Sequence, residues 1–534
     1  MATVTHTDET RRDPRRWWAL GALVASMLVL AFDSTILNVA LPTMAGQLDA
    51  TTGQQQWMAD AYVIVFAALM LPAGLLGDRF GRRLMLIAGL AVFLGGSVLG
   101  ALAGDVDAVI AARAVMGVGA ALIMPLSLSV LPAMFGPDER GKAVALISTA
   151  SALGMPLGPL VGGWLLGHFW WGSVFLINIP MAALSIAACV FLLPESLPHS
   201  RLRSSGGTPI PAGPKVDTVS TALTATGLGA LIYAIIEAPD RGWGDGLVLA
   251  VFATAAVLLG ALVRRERRTT RPMLDMNLLT HRGFLLNTTA ATLVMFVLSG
   301  LMFTVPTYLQ AVLGHDAFGT GLRLLPLTAG LMVAAKGAQS AVARFGARSV
   351  VSAGLVVLAF AALLGSRTTT DSGYGFTALW LSITGLGFGF AVVPAMDGAL
   401  GTLPADRAGS GSGLLMTLRQ VGGAIGIALL GSLLASAFRS RLDVTGLPGP
   451  VAHTAGESVV AAHAVAAYSG SAHLAASANT AYVHGMTLVL IVCGIASLVA
   501  ALLAALLLPS APVVGRTGPK ETPAVAAPVA DAGQ

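Results

Sequence analysis

Apolar segments of about 20 residues follow one another along almost the whole chain, and this pattern restricts the fold more than any other feature. Each segment is long enough to cross a hydrocarbon core about 30 Å thick as a helix. Hydrophobic residues make up 55% of the 534 residues and charged residues only 11%, whereas a soluble protein carries about 25% charged residues. The sequence therefore predicts an all-α polytopic membrane protein. Its basic residues are expected to set the topology and not to bind nucleic acid.

We predict fourteen membrane-spanning helices from these segments. Their approximate ranges are residues 17–40, 57–76, 84–103, 107–131, 142–166, 172–193, 218–238, 246–264, 284–312, 319–342, 349–366, 375–400, 411–437 and 482–508. The first segment follows a basic stretch, is too long for the apolar region of a signal peptide and has no small-residue cleavage site after it. We therefore expect it to remain as a helix.

The distribution of Lys and Arg predicts the orientation of the chain in the membrane. With a cytoplasmic N-terminus, 23 of the 31 basic residues fall in cytoplasmic segments and four in external ones. Cytoplasmic segments of membrane proteins carry such an excess, and an even number of spans preserves it through the second half. Both termini are therefore expected to lie in the cytoplasm, with the protein in the inner (cytoplasmic) membrane of the cell.

Polar interruptions divide the predicted spans into groups of six, two and six. The predicted units are a cytoplasmic tail (1–16), a first six-helix bundle (17–193), a cytoplasmic linker (194–217), an inserted helix pair (218–264), a second linker (265–283), a second six-helix bundle (284–508) and a cytoplasmic tail (509–534). Within the second bundle, residues 438–481 are an Ala, Ser and His-rich external loop that we expect to be poorly ordered. Faint similarity between "GVGAALIMP" and "GFGFAVVP" fits two repeats with a substrate site between them.

The segment "GLLGDRFGRRLML" joins the second and third predicted spans. Its glycines and charged residues are Gly74, Asp78, Arg79, Gly81, Arg82 and Arg83. The glycines are expected to allow close backbone approach and a tight turn, the aspartate to cap the next helix, and the arginines to hold the connection in the cytoplasm. The corresponding "ARFGAR" of the second half has Ala343 in place of the aspartate.

A glycine-rich pattern marks the fifth predicted span, "GMPLGPLVGG". Its members are Gly154, Gly158, Pro159, Gly162 and Gly163. Three of the glycines are spaced by four residues and share one helix face, which permits close contact with a neighbouring helix. The proline removes a backbone hydrogen bond and can bend the helix.

Two carboxyl groups and one guanidinium fall in the external third of the predicted first bundle. These are Asp33 in "LVLAFDSTILNVALP", Asp60 in "QWMADAYVIVFA" and Arg113 in "IAARAVMGVGAA". A charge at the bilayer centre costs about 2.5–3.5 kcal/mol, so such residues indicate a function. Burial and a second carboxylate disfavour the charged form of a carboxylic acid, whereas a nearby arginine favours it. A group between these influences can bind and release a proton.

Other polar residues inside the predicted spans give weaker indications. Asp397 and Arg419 lie at similar depths in the second half and could form a functional pair. The two cysteines, Cys189 and Cys493, are interpreted as small core residues. No spacing of His and Cys typical of a metal site occurs in the sequence, so neither a metal nor a cofactor is expected.

Several of these motifs resemble those of the major facilitator superfamily. Residues 74–86 resemble its signature G-x-L-x-D-R-x-G-R-[RK]-x-x-L, and residues 154–163 resemble the motif of its drug/proton antiporters. Residues 113–121 are similar to a further family motif, with Met116 where Gln is usual. Segments 33–42, 57–62, 175–180 and 419–428 look like the equivalent parts of fourteen-helix drug:H⁺ antiporters. The resemblance implies two six-helix bundles with an inserted helix pair, and an Asp78 that helps to close the inner gate.

The preferred functional hypothesis is a proton-coupled antiporter that exports hydrophobic or amphiphilic drugs or antibiotics by alternating access. Asp33 is predicted as the principal proton-coupling acid, with Asp60 and Arg113 beside it. The alternatives for these residues are an Arg-paired structural role for Asp33, contact of Asp60 with external water, and an Arg113 that snorkels to the surface. The expected partners are small hydrophobic or cationic substrates, protons and the lipid bilayer, and the expected oligomeric state is a monomer or weak dimer.

Other functions remain open at the level of sequence. A proton-coupled exporter or importer of one metabolite or siderophore would show similar motifs, although the glycine-rich exporter motif argues against uptake. A membrane-embedded lipid-modifying enzyme would need a catalytic constellation, and neither GxSxG nor DDxxD occurs in the sequence. A membrane sensor that transports nothing is disfavoured by the presence of both transport motifs.

Overall fold

The structure, a computed structural model of the protein, describes residues 15–135, 139, 146, 154, 157–193, 217–269, 276–401 and 408–508. These residues form seventeen α-helices, one 3-10 helix and one π-helical turn, and twelve helical segments among them are long and apolar enough to cross a membrane. The predicted all-helical membrane fold is confirmed. Of the remaining predicted spans, 57–76 is helical throughout, whereas 142–166 lies partly outside the described residues.

The helices of the first half precede an inserted pair. The first half contains α1 (Arg15–Leu48), α2 (Thr52–Phe80), α3 (Arg82–Ala101), α4 (Val106–Met134), α5 (residues 157–168), α6 (Ser173–Leu176) and α7 (Asn178–Leu192). The inserted pair is α8 (Thr218–Arg241) and α9 (Gly246–Arg268), and a 3-10 helix (Met276–Thr280) follows it.

The second half begins with α10. It contains α10 (Arg282–Thr307), the π-helical turn (Tyr308–Val312), α11 (Ala317–Phe345), α12 (Ala347–Gly365), α13 (Tyr374–Gly401), α14 (Ala408–Arg441), α15 (Gly449–Glu457), α16 (Val459–Ser469) and α17 (Ala472–Leu507). Apolar side chains and closely approaching glycines hold each half together. In the first half Gly119 of α4 lies against Phe93 and the Gly89 carbonyl of α3, and in the second half α13 packs between α11 and α12.

Local sequence signals fix where several helices begin and end. At the start of α2, the Thr51 side chain accepts a hydrogen bond from the Gln54 amide (3.2 Å) while the Gln54 side chain accepts one from the Thr51 amide (3.0 Å). This capping box satisfies two backbone donors that the helix leaves unpaired. Gly81 (φ 102°) and Gly346 (φ 80°) separate consecutive helices at corresponding places in the two halves, in a backbone region that favours glycine.

The helix α8 occupies the seam between the two halves. It packs against α2 of the first half and α14 of the second. A separate apolar cluster forms this contact, and its buried members are Ile64, Leu228, Ile232, Ile235, Ile236, Ala424 and Ala428. The second inserted helix, α9, packs on α8 and keeps most of its side chains exposed. An apolar helix with this exposure is suited to face lipid.

Residues 438–481 differ from the sequence-based expectation. We expected a poorly ordered loop, but α14 continues to Arg441, α17 begins at Ala472, and α15 and α16 lie between them. The expectation was wrong because the Ala-rich composition has a high helix propensity. In addition, the Ser458 and Ser471 side chains cap the starts of α16 and α17.

The connection between α2 and α3 is also shorter than predicted. The backbone is helical through Phe80, and Gly81 occupies the N-cap position of α3. The side chain of Asp78 lies outside the described residues, so its capping of this helix stays a prediction. Nothing lies within 4 Å of a Cβ placed at Gly74, so close approach occurs instead at Gly77, which packs against Leu126.

Candidate functional site

A buried ion pair joins α1 to α4 in the first half. Arg113 Nη1 donates a hydrogen bond to Asp33 Oδ2 at 2.7 Å, and the two side chains are only 2% and 1% exposed. Asn178, at the start of α7, donates from Nδ2 to the other carboxylate oxygen of Asp33 at 2.9 Å. Both oxygens of Asp33 thus have a donor, and its charge is compensated by the guanidinium.

The remaining contacts of Arg113 come from α2. Its Nε donates to the Met58 carbonyl at 3.2 Å, and its guanidinium carbon lies 4.3 Å from the centre of the Tyr62 ring. Such a cation–π contact is favourable in a desolvated site. The guanidinium is buried among these groups, so the alternative in which Arg113 snorkels to the surface is wrong.

Asp60 lies on the same stretch of α2 but in a different environment. Its side chain is 0% exposed, and neither carboxylate oxygen has a hydrogen-bond partner within the described part of the chain. The alternative in which Asp60 reaches external water is therefore not the arrangement in this structure. An isolated carboxylate is costly to bury as a charged group, whereas the neutral acid avoids most of that cost.

Two glutamines connect the halves at the side where α1 ends and α2 begins, which we call the α1–α2 face. From the first half, Gln56 Nε2 donates to the carbonyls of Ile427 (3.1 Å) and Ala428 (2.8 Å) on α14. From the second half, Gln310 Nε2 donates to the Val39 carbonyl on α1 at 2.9 Å. These bonds hold the two halves together at this face.

Further polar contacts add to this closure. Thr43 Oγ1 lies 3.3 Å from Gln310 Oε1, and Thr52 Oγ1 donates to the Glu457 carbonyl at 3.0 Å, which joins α2 to the end of α15. Ser432 Oγ, 3.5 Å from Gln56 Nε2, donates to the Ile235 carbonyl of α8 at 2.8 Å. The inserted helix pair is thereby linked to the same closed face.

The glycine-rich motif of α5 packs against both halves. A Cβ on Gly154, Gly158 or Gly162 would collide with α1, and Thr35 Oγ1 donates to the Gly154 carbonyl at 3.0 Å. A Cβ on Gly163 would lie 2.5 Å from the Ala317 carbonyl of α11. The Pro159 carbonyl approaches Gly321 on the same helix. The motif therefore provides the close packing that small residues permit, within the first half and across to the second.

The signature segment after α2 is described only in part. The Arg83 guanidinium donates to the Val190 carbonyl of α7, and Arg82 is half-buried at the start of α3. The side chains of Asp78 and Arg79 lie outside the described residues. The role of Asp78 in closing an inner gate therefore stays a prediction.

The structure does not pair Asp397 with Arg419. Among the described residues no ion pair joins them, and Asp397 is exposed near the end of α13. Arg419 Nη1 instead lies 3.4 Å from Met416 Sδ on its own helix.

Within the same described residues, no group of three or more His, Cys, Asp or Glu is placed to hold a metal ion.

Sequence reasoning found the three ionisable residues but not the polar residues that position them. Asn178 lies in "FLINIP" (residues 175–180), and the signal for its role is an amide side chain inside an otherwise apolar span. Gln56 and Gln310 lie near the ends of predicted spans, where polar residues are common. Nothing in their sequence context indicates a bond to the opposite half.

The comparison with known proteins agrees with this architecture. The sequence pattern of the Major Facilitator Superfamily matches residues 23–427. The chain belongs to the major facilitator superfamily. It is thus a multi-pass membrane transporter and not an enzyme.

Other members of the superfamily match over most of their length. The chain is 31% identical to the tetracenomycin C resistance and export protein of Streptomyces glaucescens, over 94% of this chain and 93% of that protein. It is 33% identical to the multidrug efflux pump LfrA of Mycolicibacterium smegmatis, over 86% and 90%. It is 34% identical to the methylenomycin A resistance protein of Streptomyces coelicolor, over 80% and 87%.

Solved structures share the fold at lower sequence identity. An inward-facing bacterial homologue of the human lysosomal transporter Spinster has a TM-score of 0.64 at 18% identity, over 92% of this chain and 97% of that chain. A D-xylose–proton symporter has a TM-score of 0.57 at 14% identity, over 92% and 98%. These likenesses support the fold of the superfamily.

Proposed function

We propose that this protein is a proton-driven antiporter that exports hydrophobic or amphiphilic drugs or antibiotics across the cytoplasmic membrane. The relatives described above as resistance, export and efflux proteins support this direction and substrate class. We further propose that it belongs to the fourteen-helix branch, with both termini in the cytoplasm. The closed α1–α2 face is then external.

The isolation of Asp60 is the observation that carries the proton-coupling proposal. A carboxyl group with no hydrogen-bond partner in the described residues, buried in a closed helix bundle, is far cheaper to hold as the neutral acid. Closing the external face around an ionised Asp60 would bury an uncompensated charge. Closure therefore favours the protonated form, and this preference links proton uptake to a change of conformation.

Asp33 has a different role in this proposal. Arg113 and Asn178 already satisfy both of its oxygens, so it is paired within the bundle and holds the guanidinium in place. These surroundings favour Asp60 over Asp33 as the proton carrier, unlike the ranking from sequence. Asp33 and Arg113 act as a fixed polar pair beside the carrier, with Met58 and Tyr62 joining the pair to α2.

The proposed cycle follows from the charge of Asp60 and the two faces of the protein. When the external face is open, water reaches Asp60 and a proton binds. The neutral site permits the external face to close through Gln56 and Gln310, and the carrier opens to the cytoplasm. There the proton leaves and substrate binds, and the ionised Asp60 then favours return to the outward-open form. Coupling depends on this difference in free energy between the two protonation states.

The test measures proton exchange in everted membrane vesicles. A preformed pH gradient is followed with a quenched amine dye while amphiphilic antibiotics and dyes of either charge are added. Wild-type protein should dissipate the gradient when a substrate is present, and Asp60→Asn should abolish this response because asparagine cannot exchange a proton. Asp60→Glu should retain part of it.

The exposed Asp371 on the loop before α13 provides the matched control, since Asp371→Asn removes a carboxyl group that water already solvates. This variant should behave as wild type. Substrate-dependent dissipation of the gradient by folded Asp60→Asn would contradict the assignment of the proton carrier. A wild-type protein that exports no compound in response to the gradient would contradict the proposed function itself.

A further inference from the structure

Arg419, like Arg113, lies inside a membrane-spanning helix, but its contacts differ from those of Arg113. It lies on α14 and is only partly exposed. Its Nη1 contacts the weak acceptor Met416 Sδ at 3.4 Å, and its Nε is buried with no hydrogen-bond partner within the described residues. No described carboxylate forms an ion pair with it.

The helices α10 and α14 run in parallel beside this guanidinium, with a constant register. Gly422 lies opposite Thr292, where an added Cβ would be 2.5 Å from Thr292 Cγ2, and Gly426 lies opposite Phe296. The same offset between the two helices places Thr288 level with Leu418, the residue that precedes Arg419 along the chain. Parallel packing at fixed register therefore brings an α10 surface to the height of the guanidinium.

This α10 surface carries two threonine hydroxyl groups. Thr288 and Thr292 are four residues apart and thus lie on one helix face. Both Oγ1 atoms are buried without a hydrogen bond to any described residue. Buried hydroxyls are normally satisfied, so this pair, together with the Nε of Arg419, offers three unused polar atoms at one level of the second half.

Such a set matches an anionic group. A guanidinium presents a rigid fork of donors that fits the two oxygens of a carboxylate, and each threonine hydroxyl can donate a further hydrogen bond. A cationic group would instead be repelled by Arg419. Because the side chain keeps partial exposure, a ligand can reach it without unfolding the helix contact.

The geometry points to Arg419, with Thr288 and Thr292, as a subsite for an acidic group on the exported compound. The substrate class is thus a hydrophobic scaffold that bears a carboxylate or an acidic phenol, in contrast to the cationic compounds expected from sequence. This inference rests on the proposed export function.

Arg419 precedes Ala428 by nine residues on α14, about 13 Å along the helix axis from the Gln56 contact. The subsite therefore lies away from the closed face, where it can be loaded from the opposite side.

The experiment compares two dyes of similar scaffold and opposite charge. Rhodamine 6G is a cation, and 2′,7′-dichlorofluorescein is an anion at neutral pH. Transport of each into everted vesicles is driven by an imposed pH gradient, and KM and kcat are measured for wild type, Arg419→Gln and Arg419→Lys. Lys336→Gln is the control, because it removes a positive charge from an exposed position on α11.

Loss of a charge-assisted hydrogen bond weakens binding by about tenfold to a hundredfold. We expect Arg419→Gln to raise the KM for dichlorofluorescein by at least about tenfold, with a small change for rhodamine 6G. Arg419→Lys should lie between wild type and Arg419→Gln because lysine keeps the charge but not the fork. Thr288→Val should raise the same KM by a smaller factor, and it keeps the test valid if Arg419→Gln fails to fold.

Three results would overturn the subsite. In the first, both dyes lose transport to the same extent in the Arg419 variants, which indicates a structural role. In the second, the KM for the anionic dye is unchanged in Arg419→Gln and Thr288→Val. In the third, wild type transports rhodamine 6G but not dichlorofluorescein, which leaves the export function standing. If neither dye nor any other compound responds to the gradient, the export function fails together with the subsite.

Discussion

Gln56 precedes Asp60 by one turn of α2, so the amide that joins the two halves and the isolated carboxyl group lie on the same face of one helix. Separation of α2 from α14 would break the bonds from Gln56 to the Ile427 and Ala428 carbonyls. The same movement would open a path for water toward Asp60. Closure of the α1–α2 face and isolation of the acid are thus two results of a single helix contact.

The first prediction concerns this contact. Gln56→Met keeps the length of the side chain but removes its donors, and each hydrogen bond lost from a neutral pair costs about 1 kcal/mol. Gln56 makes two such bonds to α14, so we expect the population with an open α1–α2 face to rise by about tenfold to thirtyfold, since each 1.4 kcal/mol corresponds to a factor of ten. Spin labels on cysteines introduced at Gln47 and Asp371, one in each half, should report longer distances in an electron resonance experiment.

Gln55 offers a matched control for this variant. It is also a buried glutamine on α2, but its Nε2 donates to the Ala50 carbonyl at 3.3 Å within the first half. Gln55→Met should therefore leave the distance distribution unchanged. Equal distributions in Gln56→Met and wild type would show that Gln56 does not hold the face closed.

The second prediction concerns the stability of the buried ion pair. Asp33→Asn leaves Arg113 charged and without its anionic partner, which typically costs about 3–5 kcal/mol. Addition of Arg113→Gln should recover much of the lost stability, because the uncompensated charge is then removed. Thermal unfolding in detergent can be followed with a thiol-reactive dye, since both cysteines, Cys189 and Cys493, are buried in the folded protein. A double variant that is less stable than Asp33→Asn would contradict this account.

The third prediction concerns the packing of α5 against α11. A Cβ at Gly163 would lie 2.5 Å from the Ala317 carbonyl and from the Phe318 Cα, which are backbone atoms that cannot turn aside. Gly163→Ala should destabilise the protein by about 1–3 kcal/mol. On the same helix, nothing lies within 4 Å of a Cβ at Gly167, and Gly167→Ala should be neutral or stabilising by about 0.5–1 kcal/mol. Similar unfolding temperatures for the two variants would argue against a tight contact at Gly163.

The fourth prediction concerns pH and the start of α8. Asp217 caps this helix and pairs with Arg265 at 3.0 Å. Partial burial tends to raise the pKa of Asp217, but hydrogen bonds from Ser220 and from the Arg265 guanidinium hold this pKa below its usual value. The stability given by ionised Asp217 is thus fully present above the unfolded-state pKa of about 3.9. It is lost as the pH falls through the lower pKa of the folded state.

Asp217→Ala should therefore weaken the first turn of α8 by about 0.5–2 kcal/mol at neutral pH. Amide hydrogen exchange in residues 219–222 measures this loss directly. The difference between wild type and variant should shrink as the pH is lowered below 3.9. A difference that stays constant down to the lowest pH at which the protein remains folded would exclude a contribution from the charge of Asp217.

Much of the helical architecture could be predicted from the sequence because hydrophobicity over a span is a local property. The inserted pair is an example, since α8 and α9 cover the predicted spans 218–238 and 246–264. The proximity of Asp33 and Arg113 could also be predicted, because both residues lie at a similar depth in the membrane along their helices. Their bond also required the rotation of each helix about its axis, which apolar spans with little periodicity do not specify.

The polar contacts between the two halves could not be predicted from the sequence, for a related reason. Gln56 and Gln310 bond to main-chain carbonyls that lie hundreds of positions away along the chain. A carbonyl oxygen has no signature in the sequence, since every residue has one. The helices α15 and α16 were missed because an Ala and Ser-rich segment was judged by its polarity and not by its helix propensity.

The acceptors of Gln56 and Gln310 are part of the peptide backbone, and this has an evolutionary consequence. No substitution of a side chain at position 427, 428 or 39 deletes an acceptor oxygen. Neighbouring positions can therefore diversify as a lineage meets new toxic compounds, while the seal between the halves persists as long as two amide side chains are retained.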